Sequence, residues 1–315
     1  MPAPSVFAAG FLPPEALALL REHGYTLHDY HNAPDKAALL QQVGRDTRCL
    51  VATSHAVIDA ALLAQLPALE QVSIYGMGYE KIDLAPLRAR NIRLTNTPDV
   101  MVDDVADLGM ALVLATVRRM IAADRFVRAG YCAGGSMPFA HSVRGLRLGI
   151  AGLGRIGREI ARRAEVFGMT VLYHNRQPRA DVPYLHVPSL LQLARACDVL
   201  LLATPGGPDT LRMVDAEVLA ALGPQGTLIN IGRGSLVDEA ALVQALQSGT
   251  IAAAGLDVFE DLAHPSPALF ALDNVVLSPH RGSATFESRG AMARLFFANV
   301  EALFAGTALP TPVPL

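Results

Sequence analysis

Tryptophan is absent from this chain of 315 residues, and lysine and cysteine are rare, with two and three residues. The cysteines Cys49, Cys132 and Cys197 are too few and too scattered for a disulfide framework or a zinc site. We therefore expect a reducing compartment and no bound metal. Each cysteine is interpreted as a small buried hydrophobic side chain rather than a nucleophile.

Large net charge and long apolar runs are lacking as well. The net charge of −3 gives no electrostatic case for a nucleic-acid partner. No uninterrupted apolar stretch approaches the ~20 residues that a membrane span requires. Residues 1–4 contain no basic segment of the kind that begins a signal peptide, and Pro13 and Pro14 interrupt the first apolar run. We expect a cytoplasmic protein without a membrane or nucleic-acid partner.

What the chain does have is a 51% hydrophobic share and a length beyond the ~250–300 residues at which one core stops growing. Two domains are therefore expected. Short apolar runs alternate with helical patterns, which predicts βαβ units and parallel sheets, an α/β protein with two Rossmann-like domains. The first, flavodoxin-like domain is predicted to contain strands at 5–9, 49–53, 72–75 and 92–94, with helices at 14–22, 36–43 and 55–63.

A second, dinucleotide-binding domain is predicted from strands at 146–151, 170–174, 198–203, 226–231, 252–256 and 274–278. It is inserted into the first, so that residues 99–283 form the cofactor domain and residues 1–98 plus 284–315 the substrate domain. Hinges are expected near Pro98 and Ser283, and a helix at 284–304 returns the chain to the first domain.

A long apolar helix is predicted at 103–128, with Asp103 or Asp104 as its N-cap and Gly130 as its stop. Because it is apolar on most of its circumference, it must be buried on more than one side. Core packing explains part of this surface. A subunit interface explains the rest, so we expect a homodimer.

A glycine fingerprint follows the apolar run 148–151 and precedes a helical pattern at 155–167: Gly152-Leu153-Gly154-Arg155-Ile156-Gly157. Gly152 permits a tight turn, Gly154 lets backbone amides approach a pyrophosphate, and Gly157 allows close helix–strand packing. The helix N-terminus adds partial positive charge for the phosphates. A glycine-rich turn without a ligand is the alternative, and the strand before and helix after favour the cofactor.

The end of the next strand indicates which dinucleotide binds, because an NAD enzyme usually places Asp or Glu there for the ribose hydroxyls. Residues 173–179 contain no acid. Asn175 can donate a hydrogen bond without repelling a phosphate, and Arg176 can pair with one, with help from Arg179. A solvated basic loop is the alternative. We predict NADPH over NADH, and reduction as the physiological direction.

Arg233 and His280 each follow a predicted strand and stand beside glycines or proline. Open α/β sheets bind ligands at the carboxyl ends of their strands. The guanidinium can hold a carboxylate and a keto oxygen together, and an imidazolium can protonate the alkoxide that forms as hydride arrives. A surface arginine and a structural histidine are the alternatives. These two residues are our catalytic candidates.

From about residue 74 onward the chain resembles the D-isomer-specific 2-hydroxyacid dehydrogenases, particularly the glyoxylate, hydroxypyruvate and hydroxyphenylpyruvate reductases. The matching segments are residues 96–100, 103–107, 152–157, 230–235, 255–259 and 279–285. The resemblance implies NADP(H)-dependent reduction of a small 2-keto acid, and a homodimer built on the 103–128 helix. It implies cofactor contacts from Thr204, Thr210, Ile231, Gly232, Asp257, His280 and Gly282, with Asp257 accepting from the carboxamide. It also implies that Met77 and Gly78 bind substrate beside Arg233 and His280.

One position departs from the family pattern. Where the resemblance calls for a glutamate that orients the histidine, the chain has Leu262, with Glu260 and Asp261 close by. A nucleotide-binding regulatory or corepressor-like protein is therefore an alternative reading, and formate oxidation is a weaker one. Met137 and Phe139 are candidates to line a pocket in a neighbouring subunit, with an ordinary loop preferred.

Overall fold

The computed structural model describes residues 4–130 and 135–315. Its strands are β1 (Ser5–Ala8), β2 (Thr26–Asp29), β3 (Cys49–Thr53), β4 (Gln71–Tyr75), β5 (Arg93–Thr95), β6 (Arg147–Ala151), β7 (Thr170–His174), β8 (Leu185–His186), β9 (Val199–Leu202), β10 (Thr227–Asn230), β11 (Ala253–Leu256), β12 (Val275–Leu277) and β13 (Pro312–Val313). Its α-helices are α1 (Pro14–Glu22), α2 (Lys36–Val43), α3 (Ala60–Ala64), α4 (Leu84–Ala89), α5 (Val102–Val117), α6 (Met120–Arg128), α7 (Arg155–Val166), α8 (Leu190–Ala196), α9 (Ala216–Leu222), α10 (Glu239–Ser248), α11 (Pro267–Phe270) and α12 (Phe286–Ala305).

The chain divides into two compact units. Unit 1 comprises Met1–Met101 and Thr285–Leu315, and unit 2 comprises Val102–Ala284. The breaks predicted from the sequence, after residues 98 and 283, lie within three residues of these. The assignment of unit 1 to the substrate and of unit 2 to the cofactor stays a prediction.

Unit 1 contains a six-stranded sheet in the order β13-β5-β4-β3-β1-β2. Its strands are parallel except for β13, which pairs antiparallel with β5. The core lies under β3 and β4, which are almost wholly buried. The apolar runs of these strands account for their correct prediction. Strand β2 was missed because it is an edge strand whose residues are only partly buried.

Two helices of unit 1 differ from expectation. The helix predicted at 55–63 begins only at Ala60, because the Asp59 side chain accepts a hydrogen bond from the amide of Leu62 at 2.8 Å and caps it there. Helix α4 was not predicted. It starts after a similar cap, Asp83, and is too short to show a periodic apolar pattern.

Unit 2 contains a seven-stranded parallel sheet in the order β12-β11-β10-β9-β6-β7-β8. The chain moves outward from β6 in one direction and from β9 in the other, which is the doubly wound arrangement with its switch point beside β6. The two parallel, Rossmann-like sheets expected from the sequence are thus confirmed. The two-residue edge strand β8 was not predicted.

The single helix predicted at 103–128 is wrong. The structure has two helices, because Arg119 adopts a left-handed backbone conformation with φ of +52° and ends the regular hydrogen bonding. Asp103 and Asp104 lie inside the first turn of α5 rather than at its N-cap, where their carboxylates favour the helix dipole.

The two helices also differ in burial. Helix α5 buries eight residues and packs against β10, β11 and β12 in unit 2. Most of the apolar surface that suggested a subunit interface is therefore internal. Helix α6 has no buried residue.

Two of the three cysteines lie in the described part of the chain, and Cys132 lies outside it. Cys49 and Cys197 are free and buried, as predicted. Burial raises the pKa of each thiol to about 12, so neither is a thiolate nucleophile near neutral pH. Among the described residues, no cluster of three metal-ligating side chains occurs, and no helix is long and apolar enough to cross a membrane.

Candidate active site

The glycine fingerprint forms the turn between β6 and α7, and each glycine has a separate steric role. Gly152 has φ of +98°, and a Cβ there would lie 2.8 Å from the backbone of Ala203 and Thr204. A Cβ on Gly157 would lie 2.3 Å from the carbonyl oxygen of Gly152. Apart from its chain neighbours, a Cβ on Gly154 would meet no atom of the described residues within 4 Å. The open space beside Gly154 is the room that a pyrophosphate needs for close approach to the backbone.

The N-terminus of α7 is available for a phosphate. The helix starts at Arg155, and its N-cap residue, Gly154, makes no side-chain cap hydrogen bond. With twelve residues it has a substantial dipole, positive at this end. Gly154, Arg155 and Ile156 lie at the turn and first residues of α7, and their contact with a pyrophosphate stays a prediction. Leu153 is buried, and its amide donates to Oδ1 of Asn175 at 2.7 Å.

In the loop after β7, the side chains of Asn175, Arg176 and Arg179 have different surroundings. The side-chain oxygen of Asn175 accepts the hydrogen bond from the Leu153 amide in the glycine turn. Arg179 pairs with Asp181 at 3.1 Å, and this arginine, with Arg158, holds the pKa of the Asp181 carboxyl well below its usual range. The Arg176 side chain is 91% exposed, and its Nη1 lies 3.7 Å from the Asp209 carboxylate. Arg176 is thus the arginine of this loop with only a loose, solvent-screened partner.

Loops at the carboxyl ends of β9 and β10 contact each other. The Thr210 hydroxyl donates to the carbonyl of Pro205 at 3.0 Å and so closes the loop after β9. A Cβ on Gly232 would lie 2.8 Å from the carbonyl oxygen of Thr204. Ile231, which follows β10, is buried. The structure therefore brings Thr204 beside both Gly152 and Gly232, because β6, β9 and β10 are neighbouring strands that end at the same edge of the sheet.

Arg233 is held in a turn after β10. The Asn230 side chain brackets this turn, because its Nδ2 donates to the Arg233 carbonyl at 2.9 Å and its Oδ1 accepts from the Gly232 amide at 3.1 Å. Gly234 is required by space, since a Cβ there would lie 1.7 Å from the carbonyl oxygen of Phe259. The loop after β11 therefore packs directly on the turn that carries Arg233.

His280 lies just beyond β12 and is fixed through Asp257, at the end of β11. The His280 amide donates to the Asp257 carbonyl at 2.9 Å, and His280 has φ of +54°. The Asp257 carboxylate accepts from the amides of Arg281 at 2.7 Å and Gly282 at 3.0 Å, and from the Ser278 hydroxyl at 2.5 Å. Asp257 is only 2% exposed. This buried carboxylate holds the loop on both sides of His280.

The acids near position 262 have other partners. Glu260 forms an ion pair with Arg212 at 2.7 Å, and Asp261 accepts from the His264 ring at 3.1 Å. The loop they belong to is tied down by Glu239, whose carboxylate accepts from two amides, those of Glu260 and Ser266. The Leu262 side chain is 40% exposed, so it shields neighbouring groups from water less than a buried leucine does.

Met77 and Gly78 follow β4 in unit 1. The Gly76 amide donates to the Thr97 hydroxyl at 3.0 Å, and the Gly76 carbonyl accepts from the Thr97 amide at 2.9 Å. The Met77 carbonyl accepts from the Asn96 side chain at 2.8 Å. This short loop is therefore fixed by the chain that follows β5.

Comparison with known proteins identifies the chain. Residues 110–282 match the family described as D-isomer specific 2-hydroxyacid dehydrogenase, NAD binding domain. The chain belongs to the D-isomer-specific 2-hydroxyacid dehydrogenase family. Among similar curated proteins, glyoxylate/hydroxypyruvate reductase A of Arabidopsis thaliana is 44% identical over 93% of both chains.

Solved structures give the same family assignment over the whole chain. The 2-hydroxyacid dehydrogenase of Ketogulonicigenium vulgare is 41% identical, with a TM-score of 0.93 over 100% of this chain and 99% of that one. An NADPH-dependent glyoxylate/hydroxypyruvate reductase of Sinorhizobium meliloti, solved with NADP and malonate, is 41% identical, with a TM-score of 0.90 over 98% and 96%. The dehydrogenase therefore has the two-domain fold of these enzymes and a site for a nicotinamide dinucleotide.

Several residues that support the site of this dehydrogenase were not predicted from the sequence. Asn230 brackets the Arg233 turn, Ser278 completes the shell of Asp257, and Glu239 holds the loop at 260–266. His186 in β8 contacts the Asn175 carbonyl at 3.1 Å. Asn230 could have been found, because an asparagine at the end of a buried strand and just before a glycine is typical of a bracketed turn. The others come from distant segments and have no local signal.

Proposed function

We propose that this dehydrogenase reduces a small 2-keto acid, of the glyoxylate or hydroxypyruvate type, to the D-2-hydroxy acid with NADPH. The observation that carries the proposal is the common edge of the unit 2 sheet. The glycine turn after β6, the Arg233 turn after β10 and the His280 loop after β12 all lie at the carboxyl ends of parallel strands in one sheet. That edge is where open α/β sheets bind their ligands.

In this proposal Arg233 binds the substrate carboxylate and keto oxygen, for which a planar guanidinium is well suited. The bracket from Asn230 and the packing of Gly234 on Phe259 restrict the turn and so reduce the entropy lost on binding. Met77 and Gly78 of unit 1 supply further contacts to the carboxylate. We assign unit 1 as the substrate domain and unit 2 as the cofactor domain.

When bound, the dinucleotide supplies a hydride to the keto carbon. His280, as imidazolium, donates its proton to the carbonyl oxygen as negative charge develops there, and the neutral imidazole then takes a proton from water. The sum is keto acid plus reduced cofactor plus one proton, giving hydroxy acid and oxidised cofactor. Asp257 acts on the loop backbone and so keeps His280 in place for this transfer.

For the cofactor, the fit rests on the open space at Gly154 and on the N-terminus of α7, whose N-cap is a glycine. Leu153, Gly154, Arg155 and Ile156 would hold the pyrophosphate, and Arg176 a 2′-phosphate. Thr204, Thr210, Ile231, Gly232 and Gly282 would line the remainder, with Asp257 and His280 near the nicotinamide. Preference for NADPH is supported by the absence of an acid at the end of β7 and by the exposed Arg176.

We also propose a homodimer, with a second copy of the chain covering α6. Three large apolar side chains of this helix are exposed: Met120 by 57%, Ile121 by 41% and Val127 by 61%. Beside them, at the amino edge of the unit 2 sheet, is a cavity of about 260 Å³ whose lining includes Thr116, Ile121 and the wholly exposed Phe139. Large exposed apolar side chains grouped on one short helix are typical of a protein interface. For Met137 and Phe139 the sequence favours an ordinary loop, and a role in a neighbouring subunit stays the alternative.

A regulatory nucleotide-binding protein is the second candidate, and Leu262 is the observation that favours it, because the nearby acids Glu260 and Asp261 have other partners. The two functions are separated by initial rates of NADPH and NADH oxidation with glyoxylate, hydroxypyruvate and 4-hydroxyphenylpyruvate. Turnover that is faster with NADPH, with a D-hydroxy acid as product, is expected. Tight dinucleotide binding without turnover on any keto acid would favour the regulatory function.

A further inference from the structure

The loop Gly76-Met77-Gly78 has two amides that are not used within the protein. In the described part of the chain, the amides of Met77 and Gly78 donate no hydrogen bond to a protein atom. Gly78 is nevertheless a buried residue. Buried backbone amides are nearly always paired with protein, water or a ligand. An unused amide in a buried glycine therefore indicates a binding partner.

The direction of these two amides is set by their own peptide planes. In a trans peptide, the carbonyl and the following N–H point in opposite directions. The Gly76 carbonyl is held by the Thr97 amide at 2.9 Å, so the Met77 N–H points away from Thr97. The Met77 carbonyl is held by the Asn96 side chain at 2.8 Å, so the Gly78 N–H points away from Asn96. Two successive amides are thus directed to the same side, away from residues 96–97.

Such a pair of successive amides forms a concave donor site for an anion, known as a nest. Only glycine allows this path at position 76, where φ is +134° and a Cβ would lie 2.2 Å from the Ser54 hydroxyl oxygen. The Thr97 hydroxyl accepts a hydrogen bond from the remaining amide of the loop, that of Gly76, over 3.0 Å. No peptide of the loop can therefore rotate without losing a hydrogen bond to residues 96–97.

Asn96 is itself fixed by a buried polar network in unit 1. Its carbonyl accepts from the Thr311 hydroxyl at 2.6 Å, and Asn299 binds Thr311 through both its side-chain oxygen and nitrogen, at 3.1 and 2.7 Å. Asn96 is 8% exposed and Asn299 is fully buried. Asn96 is therefore held in place, because a movement of its backbone would break the hydrogen bond from Thr311.

We propose that Asn96 and Thr97 are positioning residues for the substrate carboxylate. They touch neither substrate nor cofactor, but they aim the Met77 and Gly78 amides at the carboxylate and keep them from rotating. This inference rests on the proposed function, since it concerns the same substrate. It adds a specific cause for affinity: the amides are oriented before the anion arrives, so binding does not have to order the loop.

The test compares oxalate binding, measured by calorimetry on the NADPH-saturated protein, with steady-state kinetics on glyoxylate. Asn96→Leu removes the donor to the Met77 carbonyl with little change in volume. We expect oxalate affinity and kcat/KM for glyoxylate to fall about 10- to 100-fold, mainly through KM, with the KM for NADPH changed less than about twofold. Thr47→Val is the matched control. It also removes a buried hydrogen bond in unit 1, to the Val43 carbonyl at 2.8 Å, and should lower thermal stability without changing oxalate affinity.

Two variants of Thr97 provide a second test in case the Asn96→Leu protein does not fold. Thr97→Val removes the hydroxyl that accepts from Gly76, and Thr97→Ser retains it, so only the valine variant should bind oxalate more weakly. Oxalate affinity equal in the two Thr97 variants, or unchanged in a folded Asn96→Leu, would overturn the positioning role. A wild-type protein that binds oxalate but reduces no keto acid would instead overturn the proposed function.

Discussion

The side-chain oxygen of Asn175 accepts a hydrogen bond from the amide of Leu153, over 2.7 Å. This contact joins the loop after β7 to the glycine turn after β6. It gives Asn175 a structural role in shaping the turn, in addition to its predicted role beside the ribose. Under the proposed preference for NADPH, discrimination between the two dinucleotides would fall mainly to Arg176, whose side chain is 91% exposed.

Arg176→Ala is therefore predicted to reduce NADPH affinity by about tenfold or more, because a 2′-phosphate loses its charge-assisted partner. NADH affinity should change little. The measurement is the KM and Kd of each cofactor at fixed ionic strength. Arg179→Ala is the control in the same loop, since Arg179 is engaged by Asp181, and it should have the smaller effect. Equal losses for NADPH and NADH in Arg176→Ala would mean that this arginine does not read the phosphate.

Leu262→Glu is predicted to move the basic limb of the pH–rate profile to higher pH, by about one unit, and to increase turnover near neutrality. A carboxylate beside an imidazole stabilises the protonated ring, which is the form that donates in reduction. Leu262→Gln has a similar shape without the charge and should leave the limb where it is. A limb that stays fixed in the glutamate variant would indicate that another acid already partners His280, or that His280 is not the proton donor.

Val127→Glu is predicted to weaken self-association, because it places a charge on the exposed apolar side of α6. Light scattering of the wild type at micromolar concentration should give about twice the chain mass of 33.4 kDa. Val166→Glu is the matched control, since Val166 is 85% exposed at the end of α7 and lies outside the proposed interface. A monomeric wild type would contradict the dimer.

Asp198→Asn is predicted to destabilise the fold at neutral pH and to have little effect in acid. Asp198 binds both the guanidinium and the amide of Arg147, at 2.7 Å each, and this arginine keeps the pKa of the Asp198 carboxyl below its usual range. A lowered folded-state pKa gives stability above the unfolded value of ~3.9, and this stability is lost as pH falls through the folded value.

The side chains of this pair are 48% and 32% exposed, so solvent screening limits the loss to about 1 kcal/mol. Urea unfolding at pH 7 and pH 3 measures it. A difference between wild type and Asp198→Asn that is as large at pH 3 as at pH 7 would contradict the electrostatic origin.

Much of the fold could be predicted because buried parallel strands have sequences that are short apolar runs. Strand β7 was predicted at its observed bounds, and the strands between β9 and β12 within one residue at each end. The break at Arg119 could not be predicted, since the apolar pattern continues across it and a left-handed arginine has no sequence signal. The share of the apolar surface of α5 that packs in the core could not be predicted either, because a sequence does not show which strands will cover it.

At the candidate site, the fingerprint and the two strand-end residues Arg233 and His280 could be proposed from local sequence, because glycines and strand ends define their context. The residues that hold them could not. Asp257 fixes His280 from a neighbouring strand, and Asn96 fixes Met77 from nineteen positions away. Such contacts depend on strand order in the sheet, which a single sequence specifies only through the complete fold.

The most direct test of the account is the oxidation of NADPH on addition of a 2-keto acid, compared between the wild type and His280→Ala. We predict steady turnover by the wild type with glyoxylate or hydroxypyruvate, faster with NADPH than with NADH. His280→Ala should be slower by about 10²- to 10⁴-fold, the usual contribution of a general acid, while still binding NADPH. A wild type that consumes no NADPH with any keto acid, or a His280→Ala variant as fast as the wild type, would contradict the proposed chemistry.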